Sequence, residues 1–105
     1  MSFIFHPLAE RELIAASRFY ETHARGLGAD FIRQAERTLA EVLAHPTAGS
    51  PIVGSTIRRR LMRRFPFGIV YEVEADNISV IAVMHLRRRP GYWKRRRRSK
   101  SPARH

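Results

Sequence analysis

The apolar positions of this chain change period twice, and each change marks a boundary between elements. From Ser2 to His6, Phe3 and Phe5 alternate with smaller or polar positions, which predicts a short strand closed by Pro7. Proline is tolerated in the first turn of a helix, and the spacing then lengthens. Leu8, Ala9, Leu13, Ala16, Tyr20 and Ala24 recur at three and four residues, with Glu10, Arg11, Arg18 and Glu21 on the opposite side. This is an amphipathic helix, and Gly26-Leu27-Gly28 is expected to end it. A second helix is expected to begin near Asp30, to present Phe31, Ala35, Leu39, Val42 and Leu43 on its apolar face, and to stop at Pro46.

Prolines, glycines, Ser and Thr between Pro46 and Thr56 predict a loop without a phosphate-cradling pattern. After it the period shortens to two. Ile57 to Arg63 mixes arginines with Ile57, Leu61 and Met62, as expected of a strand near a sheet edge with one wet face. Pro66 cannot donate a ladder hydrogen bond, so Phe65-Pro66 marks a bulge or bend. Gly68 to Val73 and Ile78 to Leu86 are rich in Val, Ile and Tyr, and the turn-forming stretch Glu74-Ala75-Asp76-Asn77 joins them into an antiparallel hairpin. The second of these strands is apolar at nearly every position, which places it centrally.

Composition narrows the function classes. A chain of 105 residues makes one small domain. With no cysteine, disulfides, thiolate metal sites and cysteine nucleophiles are excluded. His6, His23, His45 and His105 show no metal-ligand spacing, so neither a metal nor a cofactor is expected. No apolar run reaches the roughly 18 residues of a membrane span, and no signal peptide opens the chain, so a cytoplasmic protein without membrane attachment is expected.

Charge changes the picture most. The formal net charge of +11 is concentrated in one half: Met1 to Gly54 holds five basic and six acidic residues, Ser55 to His105 fifteen and three. The halves therefore carry −1 and +12, and the basic half calls for a polyanionic partner. Residues 94–105 are a basic tail with no apolar periodicity, expected to be disordered beside a single folded domain of residues 1–93. Tyr92 and Trp93 give the end of that domain an apolar anchor that can dock on the sheet.

The order of these elements, with Leu8-Ala9 to Leu13, Phe19-Tyr20-Glu21, Gly26-Leu27-Gly28 to Phe31, Pro46, Ile57-Arg58, Arg64-Phe65-Pro66-Phe67, Tyr71, His85 and Arg88 to Trp93, resembles the RelE/ParE superfamily of bacterial toxins. Those toxins belong to type II toxin–antitoxin, or plasmid stabilisation, systems. The resemblance implies an α+β fold of order β-α-α-β-β-β, with a helical hairpin packed on an antiparallel sheet. It also implies a cognate antitoxin whose C-terminal segment wraps the toxin. Given the charge of this chain, that segment should be acidic and amphipathic.

One fold hosts two activities in this superfamily, so site residues must decide between them. ParE-like members bind and poison DNA gyrase; RelE-like members cleave messenger RNA on the ribosome. Cleavage needs a base for the ribose 2′-hydroxyl, cations for the phosphorane charge and an acid for the leaving oxygen. By resemblance Arg64 and Arg88 would stabilise phosphate, His85 would carry the proton and Tyr92 would orient the base or leaving group. Against this, no carboxylate lies between Glu41 and Glu72 and no lysine precedes Lys94, so the acidic or lysine base of several nuclease members has no counterpart. The expected function is therefore a ParE-like growth inhibitor that binds its target, with Arg58, Arg60, Arg63, Arg64, Arg87, Arg88 and Arg89 forming the binding surface. A metal-independent endoribonuclease is the alternative, and a non-toxic basic nucleic-acid-binding module is the second alternative.

Overall fold

The computed structural model describes residues 1–52 and 56–96. It contains, in order, β1 (Ser2–Phe5), α1 (Pro7–His23), α2 (Leu27–Ala44), β2 (Ser50–Pro51), β3 (Ile57–Leu61), β4 (Phe67–Val73) and β5 (Asn77–His85). The strands form one sheet of order β1-β5-β4-β3-β2, in which β1 runs parallel to β5 and the other neighbours are antiparallel. The expected α+β architecture with its helical hairpin is present. Two details differ from the sequence reading. The sheet is mixed rather than antiparallel throughout, since β1 pairs parallel with β5, and four residues of alternation in β1 state a strand but not its direction. A two-residue strand, β2, also lies within the expected loop and pairs with Arg58 and Arg59.

Local chemistry sets the helix ends. The His6 side chain caps α1 by accepting the Leu8 N–H at its Nδ1, 3.1 Å away, and Pro7 occupies the first turn. The second helix starts earlier than the sequence suggested. Gly26, in the left-handed conformation at φ 85°, turns the chain directly into Leu27. In place of a capping side chain of its own, α2 borrows Glu21 from α1, whose carboxylate accepts from Gly26 and Gly28 N–H at 2.9–3.2 Å. Those bonds hold the Glu21 carboxyl below its ordinary value. Gly28 is required for a second reason: a Cβ there would lie 2.5 Å from the Ser17 carbonyl oxygen, so α1 and α2 cross closely where it sits.

The buried residues of α2, Gly28, Phe31, Ala35, Thr38 and Val42, recur at three and four, and of these Phe31, Ala35 and Val42 join the core shared with the sheet. Tyr20 and Phe31 meet Phe65 and Phe67 in a ring cluster with centroids 4.8–6.3 Å apart. On the far side of the sheet a smaller core joins Ile57, Val70, Ile81, Ala82, Met84 and Trp93. A bulge reconciles the two faces. Val70 pairs with Ala82 and Tyr71 with Val80, so Ile81 is left unopposed on β5. Two neighbouring residues, Ile81 and Ala82, thereby face the Trp93 core, while Val80 and Val83 both face the helices. This explains why β5 reads as apolar without alternation.

Candidate target-binding rim and C-terminal anchor

The rim is built by two turns. Arg63 and Arg64 lie between β3 and β4; Arg87, Arg88 and Arg89 follow β5 after Leu86. Phe67 pairs with His85 and the Leu86 N–H donates to the Pro66 carbonyl at 2.9 Å, so the two turns sit side by side at one end of the sheet. All five arginines are exposed. The Arg63 side chain retains 74% of its accessible surface and reaches Glu41 only at 4.0 Å. The Arg64 guanidinium lies 3.7 Å from Asp30 and over the Phe65 ring. Its backbone is strained, since φ is +71°, a conformation that a residue with a Cβ rarely adopts.

Arg58 and Arg60 are placed elsewhere. Alternation along β3 turns both toward the helices, where Arg58 donates to the Gly49 carbonyl at 2.9 Å and Arg60 pairs with Glu41 at 3.1 Å. Tyr71, opposite Arg58, is fully buried and donates to the Pro46 carbonyl at 2.7 Å. Burial pushes its pKa up. Of the seven arginines read as a binding surface, the structure thus gathers five on the rim, ties Arg60 to Glu41 of α2 and ties Arg58 to the Gly49 carbonyl in the loop before β2.

The residues a nuclease would use fall into two groups. His85 is half-buried, stands edge-on to Phe67 at 5.0 Å and accepts the Arg87 N–H at Nδ1. It shares a cleft of about 360 Å³ with Arg88, Phe19, Tyr20 and Glu12. Arg64 does not line this cleft; its contacts are with Asp30 and Phe65.

Tyr92 and Trp93 dock on the sheet as the sequence suggested, but Tyr92 does so through a polar partner, Glu12, that the helix stripe passed over. Strand β1 ends at Phe5, and beyond Val80, which accepts from His6 N–H, the edge of β5 has no strand beside it among the described residues. Side chains take over. The Val83 N–H donates to Glu12 Oε1 at 3.0 Å, and the Ile81 carbonyl accepts from Arg96 at 3.2 Å. Arg96 also grips Glu12 with two parallel bonds of 2.8 Å, and the Tyr92 hydroxyl donates to Glu12 Oε2 at 2.7 Å. Little solvent reaches the pair, with 11% of the Arg96 and 16% of the Glu12 side-chain surface exposed. Burial, followed by the bond to Glu12 and its charge, drives the Tyr92 pKa far up, so the phenol stays neutral. Arg88 lies over the same ring at 3.9 Å. The signal for Glu12 was present in the sequence: it falls three residues after Ala9 and four before Ala16, the two residues that α1 buries. The expectation of disorder from Lys94 onward lies, past Arg96, outside the described residues.

Residues 3–90 match the family described as the ParE toxin of the type II toxin–antitoxin system, parDE. The chain belongs to the ParE toxin family. It is accordingly the toxin component of a type II module, with a cognate antitoxin as its partner. The fold of this ParE-family toxin is also that of a solved structure from P. aeruginosa, titled as a chromosomal ParDE toxin–antitoxin system. The two superpose with a TM-score of 0.69 at 19% identity, over 82% of this chain and 96% of the other. Comparison with curated proteins gives no match. The family match includes Glu12 and the rim arginines but ends before Tyr92, Trp93 and Arg96, so the anchor is closed by residues outside the matched stretch. Among the described residues no helix is long and apolar enough to cross a membrane.

Proposed function

We propose that this ParE-family toxin acts in the cytoplasm by binding DNA gyrase or gyrase-bound DNA through its arginine rim, and that an acidic antitoxin segment neutralises it. The observation that carries this reading is the adjacency of the two turns, which presents Arg63, Arg64, Arg87, Arg88 and Arg89 as one cationic surface. Such a surface attracts a polyanion or an acidic protein face and accelerates encounter. Strain at Arg64 supports it further, because a position serving the turn alone is better filled by glycine. Tyr92 argues against cleavage: its hydroxyl is already committed to Glu12.

A second reading as a ribosome-dependent endoribonuclease is favoured by one observation, the cleft that His85 shares with Arg88. Induced expression separates the two. Growth inhibition that weakens stepwise as Arg63, Arg64, Arg87 and Arg89 are changed to Ser in combination supports binding. Complete loss from His85→Ala alone, with cut messages in primer extension, supports cleavage.

A further inference from the structure

The face of the sheet turned away from the helices carries a second cavity, of about 360 Å³, which neither the rim nor the anchor uses. Its floor is Val70, Met84 and Trp93, its wall is Pro51 and Ile52 beside β2, and Arg59 and Lys94 stand at its edges. Arg59 faces this side because Arg58 and Arg60 face the other. Two glycines make room for the cationic stems. A Cβ at Gly68 would meet Arg59 Cγ at 3.0 Å, and a Cβ at Gly91 would meet Lys94 Cε at 2.8 Å. Among the described residues neither Arg59 nor Lys94 has a carboxylate partner, and Glu72, the acid of β4 on this face, accepts from the Thr56 hydroxyl.

We infer that this cavity receives an apolar side chain of an acidic peptide segment, with Arg59 and Lys94 pairing with carboxylates on either side of it. The volume is that of a small-ligand pocket and the lining is mostly apolar. A nucleobase is a poorer occupant, because among the described residues Ser50 is the one neutral polar side chain that lines it, and Trp93, 3% exposed, offers little ring surface for stacking. The inference rests on the antitoxin reading for the source of the segment, and deepens it by naming where one apolar residue of that segment sits. Gly91, Trp93 and Lys94 lie beyond the stretch that matches the family.

Trp93 is the sole tryptophan, and its fluorescence reports occupancy of the cavity. The full chain is titrated with the peptide acetyl-Glu-Glu-Leu-Leu-Glu-Glu-amide, with the same peptide carrying Ser for both Leu, and with hexauridylate. The leucine peptide should shift the emission and saturate, and the serine peptide should bind at least tenfold more weakly, because burial of the leucines supplies most of the affinity. Arg59→Gln and Lys94→Gln should each weaken the leucine peptide by about threefold, as partly exposed ion pairs do, and Ser50→Phe should block it by filling the mouth. Equal binding of the leucine and serine peptides, or competition by hexauridylate at similar concentration, would overturn the inference. Co-expression with the product of the neighbouring gene keeps the two levels apart. Absence of rescue would reject the antitoxin reading and leave the peptide titration decisive, whereas rescue with undiminished affinity for Ser50→Phe would reject the cavity alone.

Discussion

Replacing Glu12 by Ala should unfasten the C-terminal segment and expose the edge of β5 together. The carboxylate accepts from the Val83 N–H, the Tyr92 hydroxyl and two Arg96 nitrogens, and its removal leaves Arg96 without that partner. Hydrogen bonds to a charged group contribute about 1.5–3 kcal/mol each, and breaking a fully buried pair costs about 3–5 kcal/mol. Residual solvent at both side chains places Glu12→Ala near the lower end, at about 3 kcal/mol. For a domain of this size that lowers Tm by roughly 12–24 °C, a large share of a marginal stability. Arg96→Ala should cost about 2 kcal/mol, since Tyr92 and Val83 keep their acceptor. The double variant should lose no more than Glu12→Ala alone, which is a coupling of about 2 kcal/mol. Thermal melts followed by Trp93 fluorescence and far-ultraviolet circular dichroism measure each corner of this cycle. Additive losses, or a change under about 0.5 kcal/mol for Glu12→Ala, would refute the anchor.

Other perturbations test the rest of the fold and the rim. Gly28→Ala should lower the denaturant midpoint by the equivalent of about 1–2 kcal/mol, because the new methyl meets the Ser17 carbonyl and outweighs the roughly 1 kcal/mol helix advantage of alanine. Glu21, whose folded pKa is depressed by the Gly26 and Gly28 N–H groups, contributes stability that is complete above its unfolded value near 4.5 and fades as pH falls through the lower folded value. The Tm gap between the native chain and Glu21→Gln should therefore narrow in melts taken from pH 5 down to pH 2; a gap that widens toward acid would reject the cap. Arg64→Gly should raise the urea midpoint, by up to about 1 kcal/mol, as the left-handed strain is relieved. The same substitution should weaken growth inhibition on induction.

Most of the layered architecture was legible because period carries it. Helical spacing gave α1 and α2, alternation gave β1 and β3, and two runs rich in Val, Ile and Tyr joined by turn residues gave the hairpin of β4 and β5. The bulge at Ile81 was not legible: one extra residue converts alternation into an unbroken apolar run, and a run does not say where the skip lies. The start of α2 was placed late because its cap belongs to another helix, and a borrowed carboxylate leaves no local signature. The parallel pairing of β1 depends on β5, far along the chain, and the two residues of β2 are too few to show a period. Charge counting located the rim but not its membership, since alternation in β3 turns Arg58 to the Gly49 carbonyl and Arg60 to Glu41 of α2 while two turns bring five arginines together. Glu12 was readable in principle, as a carboxylate within a stripe of buried alanines, but only its partners 71 to 84 residues away give it a role.

The central claim is that the rim works by binding and that no group on it must move a proton. A supercoiling assay with purified gyrase and relaxed plasmid tests it most directly, comparing the native chain, His85→Ala, and a variant with Arg63, Arg64, Arg87 and Arg89 all changed to Ser. Binding predicts that the native chain and His85→Ala inhibit at similar concentrations while the quadruple variant needs at least tenfold more. Supercoiling left untouched by the native chain at micromolar concentration would contradict the account.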